Sequence, residues 1–257
     1  MSSSIAEAVL EAEEPDEIPL LGLQFANLTL DSAANVILTL PPGQPFGYVV
    51  TPNADHLVRM SRDPATILPL YEGAWIRLLD SRVVAGLARG LGRKVPPVVP
   101  GSDLTAALVA AAVAAKEAVT VVGLDPDQAA ELVARTGLLI KHYCPPFGFE
   151  KEAEALGEVA RFVETNPSRL VFLAVGSPRQ ELLAKTLVER GRATGTGLCI
   201  GASLHFLAGV EKRAPGWMQK ACLEWAWRLG QSPRRLAKRY LWDDPKILWM
   251  LMREPRT

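Results

Sequence analysis

The sequence predicts an α/β fold with a doubly wound, mostly parallel sheet, helices on both faces and a helical C-terminal appendage. Apolar segments of strand length alternate with helical segments along most of the 257 residues. Several segments, such as Val119–Gly123 and Leu170–Val175, are apolar throughout, as in parallel strands covered on both faces. No further strand is evident after about Phe206, where the alternation of strands and helices stops.

The elements are predicted in chain order from apolar periodicity and from Gly, Pro and capping residues. The predicted strands are Leu20–Leu28, Gly47–Thr51, Trp75–Asp80, Val119–Gly123, Leu138–Tyr143, Leu170–Val175 and Gly197–Gly201. The predicted helices are Ser32–Leu40, one from Asn53, Val83–Leu91, Ala106–Glu117, one capped by Asp125-Pro126, Glu150–Glu164, Pro178–Arg190, Pro215–Leu229 and one restarting at Ser232-Pro233.

Composition excludes several classes of protein. The 28 basic and 28 acidic residues cancel, which argues against general nucleic-acid binding. Cys144, Cys199 and Cys222 are far apart without metal-ligand spacing, so we expect reduced thiols in a cytosolic protein. We expect neither a signal peptide nor a membrane-spanning helix, because no basic segment precedes an apolar one and no uncharged apolar run reaches about 18 residues.

The two ends of the chain differ in charge. Residues 1–18 include an acidic stretch without positive charge and are predicted to be disordered, whereas residues 19–205 form the α/β domain. In residues 206–257, arginines alternate with tryptophans, and the helix after Pro233 would place Arg235, Lys238, Arg239 and Trp242 on one face. Contact with a membrane surface or with phosphate groups is favoured there over ordinary packing.

Polar residues follow two of the predicted strands. Thr51, Asn53 and Asp80 fall at the carboxyl ends of strands, where ligands bind in open α/β sheets. On local evidence alone, helix capping is the favoured explanation for Asn53 and for Asp80. If the three converge on one crevice, a carboxylate there could serve as the general base for a hydroxyl nucleophile.

A second polar turn, Ser177 to Glu181, follows the apolar run that ends at Gly176. Gly176 permits close approach of a ligand, and Arg179, Gln180 and Glu181 could supply hydrogen bonds. The alternative is a capping box of Ser177 and Gln180, with Pro178 in the first helical position. The histidines lack partners at metal-ligand spacing, although His205 stands near the predicted ligand edge. The missing glycine fingerprint disfavours nicotinamide binding.

Together these residues resemble the WecG/TagA/CpsF glycosyltransferases, glycosyltransferase family 26, over about residues 20–243. The matching segments, in the family's order, are Thr51-Pro52-Asn53, Asp80, Pro100–Leu104, Pro145–Gly148, Gly176–Glu181, Gly201–Ser203, Arg213–Trp217, Leu223–Trp225, Arg228-Leu229, Pro233–Leu236 and Arg239-Tyr240.

The resemblance implies an inverting transfer, without metal or other cofactor, of a sugar from a UDP donor to a polyprenyl-diphosphate-linked sugar. The enzyme would be cytoplasmic and peripheral on the inner face of the bacterial membrane, and its exposed apolar helices would permit self-association. The implied roles are Asp80 as the base; Thr51 and Asn53 as sugar or acceptor ligands; Gly176, Pro178, Arg179, Gln180, Glu181 and Gly201 at the donor; and Arg228, Arg235, Lys238 and Arg239 at the leaving diphosphate.

One segment departs from the family pattern. Asp80-Ser81-Arg82 stands where the family usually has Asp-Gly, which implies a different loop shape. This variant resembles the exopolysaccharide branch, which implies transfer of a hexose. The competing hypothesis is a non-catalytic nucleotide-sugar-binding subunit of a polysaccharide assembly complex, which would share the pocket but need no base.

Overall fold

A computed structural model describes residues 15–220, 223–231, 233–238, 242 and 244–254, excepting the side chains at 219, 220, 235, 236 and 238. The strands are β1 (Glu17–Leu20), β2 (Leu23–Ala26), β3 (Gly47–Val50), β4 (Ile76–Arg77), β5 (Val119–Gly123), β6 (Ile140–Tyr143), β7 (Leu170–Ala174) and β8 (Thr196–Cys199). The last six form one parallel sheet in the order β4-β3-β8-β7-β5-β6.

Helices surround this sheet. They are α1 (Leu30–Thr39), α2 (Ala54–Arg62), α3 (Pro64–Glu72), α4 (Arg82–Gly90), α5 (Gly101–Ala115), α6 (Pro126–Thr136), α7 (Ala153–Thr165), α8 (Arg179–Arg190), α9 (Ser203–Leu207), α10 (Gly216–Lys220), α11 (Glu224–Gln231), α12 (Pro233–Lys238) and α13 (Lys246–Arg253). A short 3₁₀ turn at Phe149–Lys151 precedes α7. The doubly wound α/β prediction is confirmed by this arrangement.

The first predicted strand, Leu20–Leu28, is wrong, because a turn divides it. Leu21 and Gly22 both have positive φ, as a two-residue hairpin turn of type I′ requires. The chain therefore folds back, and β1 pairs antiparallel with β2. Arg77 Nε donates to the Gln24 carbonyl at 2.6 Å, which ties this hairpin to the edge of the main sheet.

The helices bury apolar side chains on both faces of the sheet, as the continuous apolar strands predict. One core contains side chains of α2, α3, α4, α7 and α8, including the fully buried Tyr71 and Leu187. The other core contains side chains of α1, α5, α6 and α9, including Leu108 and Leu204. Helix α3 was not predicted, because the predicted elements include no second helix between the helix from Asn53 and the strand at Trp75–Asp80.

This division of the helices leaves a crevice at the carboxyl edge of the sheet. The chain leaving β8 enters α9 on one face, while the chains leaving its neighbours β3 and β7 enter α2 and α8 on the other. Chains that diverge to opposite faces leave space between them, and this space is the usual ligand site of open α/β sheets.

The C-terminal region does not form the single helix predicted for Pro215–Leu229. The structure gives α10 and α11 as separate helices, with Leu223 outside both. The last helix, α13, buries Ile247 and Leu251 in the core beside α2 and α4. In addition, Arg93 forms an ion pair with Glu254 at 3.0 Å, so the residue that follows α13 is also fixed to the α/β domain.

Among the described residues, no helix combines the length and apolar character needed to cross a membrane. The predicted disorder of residues 1–18 lies largely outside the described residues, since 1–14 are among those not described.

Candidate active site

Asp80 is delivered to the crevice by the paired ends of β3 and β4. Its backbone N–H donates to the Pro52 carbonyl at 3.0 Å, so the segment after β4 runs beside the segment after β3. The capping alternative for Asp80 is wrong, because the Ser81 hydroxyl caps α4 by accepting from the Val84 N–H at 3.2 Å. With serine in the capping role, the Asp80 carboxylate is free to face the crevice.

The environment of Asp80 suits a general base. Burial raises the pKa of its carboxyl to about 7, while the backbone N–H of Gly101 and the charge of Arg228 act in the lowering direction. The nearby charges of Glu224 and Asp103 add to the raising effect. A base whose pKa lies near neutrality is still ionised in a large fraction of molecules and holds a proton firmly once it accepts one.

We expect the rate of any reaction that uses Asp80 as a base to rise with pH through about 7. Below this pH the carboxyl is protonated in the free protein and cannot accept a proton, whereas above it the carboxylate is fully available. The measurement is kcat/KM between about pH 5.5 and 8.5, which should climb and then level off. A flat profile across this range would remove Asp80 from the role of base.

Helix α2 and the segment before it present four polar residues to the same crevice. Asn53 accepts from the His56 N–H, and the His56 ring accepts from the Asn53 N–H at 3.2 Å, so the capping prediction for Asn53 is confirmed. Asn53 nevertheless also lines the crevice, together with Thr51, His56 and Arg59. Sequence reasoning missed Arg59, although its three-residue spacing from His56 places both on one helical face.

The loops after β7 and β8 are joined by Gln180. Its side-chain carbonyl accepts from the Gly201 N–H at 2.9 Å, and its amide donates to Glu181 Oε1 at 2.9 Å. Tyr71 OH in turn donates to Glu181 Oε1 at 3.3 Å and contacts Ser177 Oγ at 3.1 Å. The capping-box alternative is therefore wrong: α8 has no side-chain cap, and both side chains serve this buried network.

The predicted donor-site residues divide into three groups. Gln180 and Gly201 line the crevice. Glu181 is buried, and burial raises the pKa of its carboxyl. Its Oε1 accepts from the Gln180 amide, and this contact helps to hold Gln180 in place. The other three shape the turn before α8 without lining the crevice; Arg179 instead stacks its guanidinium over the exposed ring of Phe147, 5.4 Å from the centroid. These three are Gly176, Pro178 and Arg179.

Replacing Tyr71 with phenylalanine should destabilise the protein by about 1–3 kcal/mol, because the change removes the buried hydroxyl that serves Glu181 and Ser177. The free energy of unfolding, measured in urea, is the readout. Because the network holds Gln180, a weaker thermal stabilisation by nucleotide should accompany the loss. Unchanged stability would mean that the hydroxyl is not a necessary partner of Glu181.

Arg228 extends from α11 over the site. Its Nη2 donates to Glu224 Oε1 at 2.8 Å, and its guanidinium lies 5.2 Å from the centroid of the Phe206 ring. Helix α11 is itself held by Trp227 Nε1 and Gln231 Nε2, which donate to the Lys212 carbonyl at 3.0 and 2.9 Å. The side chains of Arg235 and Lys238, and all of Arg239, lie outside the described residues.

Two cavities meet at Asp80. A cavity of about 560 Å³ is lined by polar groups, including Thr51, Arg59 and Gln180. A neighbouring cavity of about 420 Å³ is lined mainly by apolar side chains. The residues that line both are Asn53, Asp80, Glu224 and Arg228. A carboxylate able to accept a proton and a guanidinium able to stabilise an anion therefore stand at the junction.

Gly101 is a site residue that sequence reasoning missed, although Pro100–Leu104 was among the segments carrying the resemblance. A Cβ atom at Gly101 would lie 2.6 Å from Thr51 Oγ1 and 3.5 Å from Asp80 Oδ2. The signal in the sequence was a glycine at the first helical position after a proline, which marks a place where α5 approaches the crevice closely.

We expect Gly101→Ala to lower kcat by about 10–100-fold with little loss of stability, because the added methyl group must displace the Thr51 hydroxyl beside Asp80. Gly86→Ala in α4 is a matched control, since nothing lies within 4 Å of a Cβ there. Comparing kcat and the melting temperature of the two variants checks this. Equal activity in both would show that the contact with Thr51 has no effect on the reaction.

An Asp-x-Asp triplet follows β5 at Asp125-Pro126-Asp127. Its first carboxylate accepts from the Gln128 N–H at 2.8 Å and so caps α6. Across the described part of the chain, no group of three or more His, Cys, Asp or Glu side chains is arranged to hold a metal ion.

A model of a known protein family matches nearly the whole chain. The model described as "Glycosyl transferase WecG/TagA/CpsF family" matches residues 18–257, a range that includes the sheet, the crevice and the C-terminal helices.

Proposed function

Because the chain belongs to the WecG/TagA/CpsF glycosyltransferase family, we propose that it transfers a hexose or N-acetylhexosamine from a UDP donor to a polyprenyl-diphosphate-linked sugar, with inversion and without a metal. The observation that carries the proposal is the meeting of a polar and an apolar cavity at Asp80 and Arg228. A nucleotide sugar is polar throughout, whereas a lipid-linked acceptor is amphiphilic, and the two cavities differ in the same way.

In this mechanism the donor occupies the polar cavity. Gln180 and the backbone at Gly201 contact the nucleotide sugar at the carboxyl ends of β7 and β8. Thr51 and Asn53 hold the transferred sugar or the acceptor hydroxyl beside Asp80. The predicted roles of Glu181 and Arg179 are indirect: the first supports Gln180, and the second shapes the turn and the adjoining loop.

The chemical step is a single displacement at the anomeric carbon of the donor. Asp80 accepts the proton of the acceptor hydroxyl, while the oxygen of that hydroxyl forms the new glycosidic bond. The bond between the anomeric carbon and the UDP oxygen breaks on the opposite side, which inverts the configuration. Negative charge grows on the departing diphosphate, and Arg228 stabilises it from α11; Arg235, Lys238 and Arg239 are proposed to assist.

We propose that the protein works in the cytoplasm on the inner membrane face, in the synthesis of an exopolysaccharide or cell-surface polysaccharide. Support comes from the exposed Trp217, Trp242 and Trp249 in the C-terminal region, since tryptophan beside basic residues is typical of membrane-surface segments. We also propose that the C-terminal appendage begins at residue 206. The appendage defined in this way includes α13, whose apolar side is packed in the core.

The test is transfer of radiolabel from a panel of UDP-sugars to a polyprenyl-linked lipid extract, with and without a metal chelator. Label should move from one UDP-sugar to the lipid fraction, equally with and without the chelator. If UDP-sugars raise the melting temperature but no label moves with any lipid extract, the protein is instead a non-catalytic nucleotide-sugar-binding subunit. Loss of transfer with the chelator would overturn metal independence.

A further inference from the structure

The apolar cavity beside Asp80 is built by two parts of the chain that are far apart in sequence. Val83 and Leu87 of α4 form one wall, and Ile247 and Leu248 of α13 form the other, with Trp225 of α11 at its edge. Ile247 is fully buried, so the wall formed by α13 is fixed to the core. The cavity is therefore a built feature of the fold.

The mouth of this cavity is also apolar. Val83 is 40% exposed and Leu248 is 41% exposed, and Trp249 and Met252 continue the exposed apolar surface along α13. An apolar wall that continues from a partly open cavity to an exposed apolar surface suits a chain-like apolar ligand that enters from outside the protein.

A cation lines the same cavity. Arg82 is half-buried there, and its side chain forms no hydrogen bond or ion pair with any residue that the structure describes. It stands two residues after Asp80 and directly after Ser81, the residue at which the sequence departs from the Asp-Gly of the family pattern. A guanidinium that lines a mainly apolar cavity complements a ligand whose anionic group is attached directly to an apolar chain.

We propose that this cavity binds the diphosphate and the first isoprenoid units of the acceptor, with Arg82 contacting the diphosphate and the α4 and α13 walls contacting the chain. The inference rests on the proposed function and adds the binding site for the non-reacting part of the acceptor. It also separates two cations: Arg82 serves the acceptor diphosphate, and Arg228, which lines both cavities, serves the donor diphosphate.

Binding of farnesyl diphosphate and of inorganic diphosphate, measured by calorimetry with saturating UDP, tests the inference without requiring turnover. Farnesyl diphosphate should bind at least about tenfold more tightly than inorganic diphosphate, because only the former places apolar carbons in the cavity. Val83→Gln and Leu248→Gln should each weaken farnesyl diphosphate about tenfold and leave inorganic diphosphate unchanged. Arg82→Gln should weaken both.

Matched controls come from the same chain. Val188 in α8 is 41% exposed, a fraction similar to that of Val83, and it lies outside the cavity. Val188→Gln should therefore have no effect on the binding of either ligand. Arg89→Gln, at the exposed end of α4, is the control for Arg82→Gln. Melting temperatures identify any variant that fails to fold. If either Val83→Gln or Leu248→Gln does not fold, the affinity of the remaining one for farnesyl diphosphate tests the inference.

Several results would overturn the inference. One is equal affinity for farnesyl diphosphate and inorganic diphosphate. Another is a loss of vesicle binding in the wall variants with unchanged farnesyl diphosphate affinity, which would make the rim a bilayer contact only. A third is the finding that the protein is a dimer in solution and that Val83→Gln and Leu248→Gln dissociate it, which would make the cavity rim a contact between two copies of the chain. If label transfer fails while farnesyl diphosphate binds as described, the proposed function fails and the cavity assignment stands.

Discussion

Replacing Asp80 with asparagine is expected to lower kcat by about 10²–10⁴-fold while UDP binds as before. The amide cannot accept the proton of the acceptor hydroxyl, and general-base catalysis typically contributes an acceleration of about this size. UDP affinity should persist because the polar cavity is otherwise lined by side chains and backbone of other segments, such as Gln180 and Gly201. Single-turnover transfer and the increase in melting temperature with UDP measure the two quantities.

Asp125→Asn provides the control for this variant. Asp125 also follows a strand of the sheet, but its carboxylate caps α6, a role that asparagine fills equally well. This variant should keep full activity, which would also show that the Asp125 carboxylate of the Asp-x-Asp triplet is not needed for the reaction. Wild-type turnover in Asp80→Asn would show that another group accepts the proton, and lost UDP binding would show that the carboxylate shapes the donor site instead.

Replacing Arg228 with glutamine should lower kcat by about 10²–10³-fold, with a smaller change in the KM for the donor. The guanidinium interacts most strongly with the charge that develops on the leaving diphosphate, so its loss raises the barrier more than it weakens ground-state binding. Arg228→Lys should recover part of the rate, since it retains the charge but loses the planar fork of donors.

The pH profile gives Arg228→Gln a second readout. Because the charge of Arg228 lowers the pKa of Asp80, its removal should move the rise in kcat/KM to higher pH. Arg234→Gln, an exposed arginine in the neighbouring α12, is the control and should change neither rate nor profile. A variant with normal kcat and an unmoved profile would show that α11 does not act on the reaction.

The parallel sheet could be predicted from the sequence because its strands are buried on both faces. Continuous apolar runs such as Val119–Gly123 leave little choice of structure, and β5 has these bounds. The errors fall where a local conformation interrupts an apolar run. The Leu21-Gly22 turn divides a run that reads as one strand, since a leucine with positive φ is not signalled by its residue type.

Part of the site could be predicted for a related reason. The end of a parallel strand is defined by its apolar run, so residues just after it, such as Asp80 and Asn53, could be assigned to one edge. Orientation of a side chain was beyond this reasoning: Arg179 and Gln180 are adjacent, yet only Gln180 lines the crevice. The orientation of Gln180 depends on its hydrogen bonds to Glu181 and to the Gly201 N–H, and the second of these joins segments that are distant in sequence.

Contacts between distant segments could not be predicted at all. The closeness of Gly101 to Thr51 and the joining of α4 to α13 around the apolar cavity depend on the folded chain. The capping role of Ser81 is similar, because both Asp80 and Ser81 are good capping residues and only the structure decides between them. This choice is what leaves the carboxylate available for chemistry.

The central claim is that an acceptor hydroxyl meets the Asp80 carboxylate where the two cavities join. The most direct measurement is a crystal structure with UDP and a short-chain, diphosphate-linked sugar acceptor. The attacking hydroxyl should lie about 2.6–3.2 Å from an Asp80 oxygen, with the diphosphate of UDP at Arg228. An acceptor bound with its hydroxyl groups pointing away from Asp80, or a UDP molecule outside the polar cavity, would contradict the claim.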